Sequence, residues 1–181
     1  SSFKGIKQII DVDATSLVMH GGQEGVEKGY IDKDTIAPCY QYLLFRNDRL
    51  NTIMWGTIRG GAAHSQNNFG NYLKMILPLF QKAWTLAIRA DSGFYSESTI
   101  EICSTNHVYF YIKCPMLPGM QDIARSTPLK WFKKEETDDQ EWAIYDTVTK
   151  GQHQFRQIFR RVRIVETGNE LLPGYSYQCV A

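Results

Sequence analysis

The chain has 181 residues, 43% hydrophobic and 22% charged, the balance of a soluble globular protein, and its length favours one domain with an embedded subdomain. Its 20 basic and 19 acidic residues leave a formal charge of +1, which argues against a free-standing nucleic-acid binder but not against a catalytic core whose DNA contacts lie partly on other segments. No apolar run approaches the roughly 20 residues of a membrane span and the first residues lack a signal-peptide pattern, so a cytoplasmic location is expected. Cys39, Cys103, Cys114 and Cys179 are scattered without a C-x-x-C pair, which indicates neither a zinc site nor a disulfide framework, and packed, reduced thiols are expected.

The first strand is expected over residues 7–19. The following stretch, 20–30, carries four glycines and reads as an irregular loop. Two strands are expected at 39–45 and 50–59, because Arg46-Asn47-Asp48-Arg49 between apolar and aromatic runs is a hairpin signal, and three strands in succession read as an antiparallel meander. The Gly-rich turn at 60–68 then leads into a helix with Asn67 or Asn68 as its cap. Phe69, Tyr72, Leu73, Ile76, Leu77 and Phe80 recur at helical spacing, and Pro78 should kink or end that helix. Residues 85–90 read as a buried strand running into Asp91. A second helix should occupy about 96–106, with Ser98 and Glu101 at capping-box spacing, and a further strand 108–113. Beyond Cys114, Pro115, Pro118, Gly119 and Pro128 leave room for helix only in pieces, and the pattern becomes β-like at 142–145 and 155–165.

Two places can carry chemistry. In Ile9-Ile10-Asp11-Val12-Asp13-Ala14-Thr15, strand alternation sets Asp11, Asp13 and Thr15 on one face and Ile10, Val12 and Ala14 on the other. Two carboxylates so placed repel each other unless a cation lies between or above them, and a divalent metal would serve; a solvated strand end is the other reading. Asp91 stands at the end of an apolar strand, before Ser92-Gly93, where sites collect in layered sheets and where an aspartate also commonly caps a turn. An acidic first strand, a meander, a helix and then a strand ending in Asp is the order of the ribonuclease H-like fold, an α/β fold with a mixed sheet in which the first and fourth strands lie side by side.

Asp11-Val12-Asp13-Ala14-Thr15, the loop from His20 to Tyr30, Ala63-His64-Ser65, and Arg89-Ala90-Asp91-Ser92-Gly93-Phe94-Tyr95-Ser96 together resemble bacterial insertion-sequence transposases of the DDE type, above all the branch called the group 1 transposase DDE domain. The motifs run in the family's order over about 6–113, and Pro173-Gly174-Tyr175-Ser176-Tyr177-Gln178-Cys179-Val180 resembles the strand that closes the family's β insertion. The resemblance implies a catalytic core over 1–114 and a β-rich insertion over 115–181. It implies two Mg2+ (or Mn2+) ions held by three carboxylates, with Asp13 first and Asp91 second, and Asp11 as a neighbouring group or alternate ligand. It also implies double-stranded DNA as partner, assembly as a homodimer on DNA, and a nucleoid-associated location in a bacterium. The third carboxylate is a Glu in a Tyr, Arg, Glu, Lys pattern after the insertion, and Glu97, Glu101, Glu135, Glu136, Glu141, Glu166 and Glu170 do not sit in such a pattern. The expectation is a catalytic-core fragment, inactive unaided, whose third residue lies beyond Ala181.

For DNA contacts the candidates are Arg156, Arg161 and Arg163 on an expected strand, with Arg161 and Arg163 on one face, together with Lys28 and His64. The alternative for the arginines is a solvated face paired with the acidic run 135–141. For 20–30, with Glu24, Glu27 and Lys28, DNA contact, support of the metal site and a plain surface loop all stand. An apolar strand entering Asp-x-Asp-x-Thr also opens the haloacid dehalogenase-like phosphatases, with Asp11 as nucleophile and Asp13 as acid/base, but the meander and the absence of an acidic partner after Asp91 argue against that fold. A non-enzymatic relic that keeps DNA contacts is the third reading.

Overall fold

Lys7–Val18 forms strand β1, and the first half of the chain is organised on it. The computed structural model describes residues 7–32, 34–79, 85–134, 139–163 and 175–181. The chain divides into two compact units, Ser1–Tyr111 and Ile112–Ala181. Among the described residues no helix is long and apolar enough to cross a membrane.

In the first unit β1 pairs antiparallel with β3 (Ile36–Asn47) on one side and parallel with β5 (Thr85–Ala90) on the other. The outer edge of β3 takes β2 (Glu27–Tyr30) along its first residues and β4 (Thr52–Gly60) along the rest. Strand β2 corrects the expectation of an irregular loop over 20–30. Its glycine serves close approach rather than freedom, since a Cβ on Gly29 would lie 2.1 Å from the carbonyl oxygen of Gly61. The β3–β4 connection is a turn as expected; the Asn47 side chain accepts the Leu50 amide at 2.9 Å, and Asn51 takes the left-handed conformation at φ 50°.

Ile10, Val12, Leu43, Phe45, Leu86 and Ile88 face one side of this sheet and form its core with residues of two helices. α1 (Phe69–Ile76) contributes Phe69, Leu73 and Ile76, the apolar face expected from helical spacing; Phe80 lies outside the described residues. The helix stops two residues before Pro78 and passes into a 3-10 turn, Leu77–Leu79. Asn68 does precede α1, but at φ 57° and with no side-chain cap bond, so the expected cap is positional only. α2 (Glu97–Thr105) begins at Ser96, whose hydroxyl accepts the Thr99 amide at 3.1 Å. The expected Ser98–Glu101 box is not used, because Ser96 is the residue still in extended backbone and so the one able to cap. Phe45 joins sheet to helix, with Trp55 edge-on at 5.5 Å and Phe69 stacked at 5.9 Å between ring centroids.

β6 (Tyr109–Cys114) starts in the first unit and ends in the second. The second unit is mostly β: β7 (Gln140–Lys150) and β8 (His153–Arg163) form a hairpin turning at Gly151 (φ 62°), and β9 (Tyr175–Val180) pairs antiparallel with β8 and with the end of β6. Its one helix among the described residues, α3 (Pro118–Ser126), begins on Pro118, a position where the missing amide costs nothing. Ala124, Ala143, Phe159, Cys114 and Cys179 are buried there. The four cysteines are free and buried, as the scattered spacing suggested.

Candidate active site

Parallel pairing of β1 with β5 fixes which side chains meet. The register runs through Ile10 opposite Ile88, Asp11 opposite Arg89 and Val12 opposite Ala90, so the next residue of each strand is Asp13 on one and Asp91 on the other. Asp91 keeps extended backbone (φ −78°, ψ −179°), so alternation carries on past the end of β5 and Arg89 and Asp91 share the face of Asp11 and Asp13. Ile10, Val12 and Ile88, on the other face, are the buried residues that hold this register.

The two rungs differ in charge. On the Asp11 rung, both carboxylate oxygens accept from Arg89, at 2.6 Å from Nε and 2.9 Å from Nη2, and Arg46 of β3 approaches to 3.7 Å. Arg89 also reaches Asp48 at 3.4 Å. The Asp11 hydrogen bond holds the Arg89 guanidinium above its ordinary pKa range. Asp11 is thus a charge partner rather than an open ligand, and a phosphatase nucleophile at this position would have to leave a two-pronged arginine.

On the next rung Asp13 and Asp91 are both exposed, and their bonds are local. Asp13 Oδ1 accepts the Ala14 amide at 2.9 Å and Oδ2 the Thr15 hydroxyl at 3.4 Å. Asp91 Oδ1 accepts the Gly93 amide at 2.9 Å, so Asp91 does cap the turn that follows it, Ser92–Phe94. Two hard oxygen donors on neighbouring strands, with no basic side chain bonded to either among the described residues, fit a divalent cation that takes oxygen ligands and completes its shell with water or phosphate. Among the described residues no group of three or more His, Cys, Asp or Glu side chains stands together.

Around this site the sequence expectations sort out residue by residue. Glu27 turns back onto the chain and accepts the Ala62 amide at 3.3 Å, over the Gly60–Gly61 turn, while Lys28 is exposed on β2 opposite Pro38. The Glu24 carbonyl accepts from the Tyr40 hydroxyl, which ties the loop to β3. His64 is exposed, with Nδ1 accepting the Gln66 amide at 3.3 Å. Arg156 pairs with Asp146 at 2.6 Å on an exposed stretch of the hairpin. Arg161 is bound to Glu141 at 2.7 Å and lies between the rings of Trp131 and Tyr175, 4.1 and 4.6 Å from their centroids, so it is spent on its own unit. Arg163 falls opposite Tyr175 in β8, and its side chain lies outside the described residues.

Sequence reading passed over Arg59. Its Nη1 donates to the carbonyls of His64, Ser65 and Asn67 at 3.3, 3.5 and 3.0 Å, and its Nη2 to Gln41 at 3.1 Å. In sequence Arg89 stands out only as part of a motif, although the offset that sets Asp13 beside Asp91 also sets Asp11 beside Arg89.

No curated protein matches the chain. Among solved structures it is similar to the piggyBac transposase in a synaptic complex with hairpin DNA, at 11% identity and a TM-score of 0.53, which shows a shared fold. The superposition covers 95% of this chain and 32% of that one, so the chain spans about a third of that protein's length. A family profile described as transposase DDE domain, group 1, matches residues 4–173. The chain belongs to the DDE transposases.

Proposed function

We propose that the chain is the catalytic portion of a DNA transposase with a ribonuclease H-like core over 1–114 and a β insertion over 115–181, in which Asp13 and Asp91 hold divalent metal. The observation that carries this reading is the parallel register of β1 and β5, which brings two carboxylates without a cationic partner to the same level on one face. Mg2+ or Mn2+ would supply there the activation of a water or a DNA 3'-hydroxyl and the stabilisation of the leaving oxygen at a phosphodiester. The chain's own residues do the rest. The Gly93 and Ala14 amides each hold one carboxylate oxygen, and the Arg89–Asp11 pair keeps a fixed cation one rung away without neutralising the ligands.

The third carboxylate of the site comes from outside the described residues, and two ions are expected when it is present. The partner is double-stranded DNA, the transposon ends and the target, on which the protein acts as a homodimer in the bacterial cytoplasm. Lys28 and His64, both exposed, remain the candidates for phosphate contact in the first unit. Asp11 belongs to the ion-pair row. The test is Mn2+ titration of the chain by calorimetry, with Asp13→Asn, Asp91→Asn and Asp11→Asn beside it. Binding that is lost in the first two variants and kept in the third is the expected result; binding that survives both Asp13→Asn and Asp91→Asn refutes the site. A magnesium-dependent plasmid-nicking assay then tests the chain itself, which is expected to nick little or not at all.

A further inference from the structure

We infer that Arg59 is a positioning residue for Asp91, acting through the turn 64–67; this rests on the metal-binding reading of Asp13 and Asp91. Arg59 is the next-to-last residue of β4; its Nη1 meets the His64, Ser65 and Asn67 carbonyls of the turn and its Nη2 the Gln41 side chain on β3. None of these acceptors is charged. A guanidinium half withdrawn from water without a carboxylate is a costly way to hold a turn, and burial accordingly lowers its pKa. The position that this cost secures is visible on the far side of the turn.

There the turn meets the segment that follows Asp91 at two points. A Cβ built on Gly93 would lie 2.9 Å from Ser65 Oγ and 3.1 Å from both Ser65 Cβ and Asp91 Oδ1, so Ser65 is seated directly against the glycine whose amide holds Asp91. Gln66 Nε2 donates to the Tyr95 carbonyl at 3.4 Å. The connection is therefore continuous: Arg59 fixes the carbonyls of the turn, Ser65 and Gln66 brace residues 93 and 95, and the Gly93 amide fixes Asp91 Oδ1. The other carboxylate oxygen is left to a ligand. Removing the fork frees the turn, and the carboxylate loses its fixed aim beside Asp13.

The test uses Mn2+ alone as the probe, with calorimetry for affinity and amide hydrogen exchange at Gly93 for the brace. Arg59→Lys keeps the charge but has a single nitrogen, so it cannot meet both the turn carbonyls, all three bonded by Nη1, and the Gln41 side chain bonded by Nη2, and Gln66→Ala removes one brace while leaving the Arg59 contacts in place. Wild type should bind Mn2+ and lose it in Asp91→Asn. Both brace variants should raise the Mn2+ Kd, Arg59→Lys by about tenfold, the usual scale for a residue that orients a ligand. Both should also speed exchange at Gly93, with lysine failing to rescue. If Arg59→Lys does not fold, Gln66→Ala and Ser65→Ala decide the matter, since neither removes a donor or acceptor of the Arg59 fork. Unchanged Mn2+ affinity in folded brace variants, while Asp91→Asn abolishes binding, overturns the role of Arg59 and leaves the site reading standing. Absence of any Asp13- and Asp91-dependent Mn2+ binding in wild type overturns the site reading, and this inference with it.

Discussion

Replacing Asp91 with asparagine should make the metal-free protein more stable, not less. Asparagine keeps an oxygen in place to accept the Gly93 amide, so the turn cap survives and only the charge is removed. Neighbouring strands lie about 4.8 Å apart, and the register sets Asp13 and Asp91 on the same level, so their carboxylates stand about 5 Å apart on the scale of that spacing. Coulomb's law at that separation, with an effective dielectric of about 40–80 for an exposed pair, gives roughly 0.8–1.7 kcal/mol, and physiological salt cuts this to about 0.5–1 kcal/mol. Urea unfolding in chelator should show that gain in Asp91→Asn. Mn2+ at ten times its Kd should stabilise wild type by about 1.4 kcal/mol and Asp91→Asn not at all, so the order of the two proteins reverses when metal is added. A loss of stability in metal-free Asp91→Asn, or an equal gain from Mn2+ in both proteins, would refute the reasoning.

Phe45→Ala should cost about 3–5 kcal/mol in urea unfolding, because the ring is fully buried and packs on both Trp55 and Phe69. Arg89→Ala opens the Asp11 rung, where Arg89 is half exposed and Arg46 stays close to the less exposed Asp11, and should change stability by no more than about 1 kcal/mol in the same assay. Burial pushes the Cys103 thiol up to about 12 from its ordinary 9.0, so native protein should resist alkylation at pH 8 and label only on unfolding. The sign of the linked effect follows: a raised pKa in the folded state favours folding fully below pH 9 and loses that contribution as pH rises toward 12, which pH-dependent unfolding midpoints would register.

Alternation and apolar runs made much of the first unit legible. The stretch 9–15 declares its two faces because Ile10 and Val12 are core and Asp11 and Asp13 are not, and α1 declares itself through Phe69, Leu73 and Ile76. Strand β2 did not, since its Gly29 is demanded by the Gly61 backbone packed against it, a contact between residues 32 positions apart that composition reads only as looseness. Arg59 was illegible for a related reason: three of its four partners are main-chain carbonyls, which every residue carries, so no side-chain pattern marks them. Arg161 shows the limit of facial arguments. A stripe of arginines on a strand looks like a phosphate contact until Glu141 and the rings of Trp131 and Tyr175 are found on the same residue.

The separation of a closed ion-pair row from an open carboxylate row depends on one register. With Asp-x-Asp on β1 and Arg-x-Asp on β5, the observed alignment sets Asp11 beside Arg89 and Asp13 beside Asp91. A slip of two residues in one direction would set Asp13 beside Arg89 and close the site with an ion pair. A slip of one would turn the whole set of β1 side chains to the opposite face and bury both aspartates in the core. Ile10 against Ile88 resists both slips through packing, and the two-pronged Asp11–Arg89 bond resists the slip of one through charge. The first aspartate of the motif therefore contributes to the site without entering it. By binding the arginine of its own rung, Asp11 keeps that cation from Asp13 and Asp91, as the proposed metal site requires.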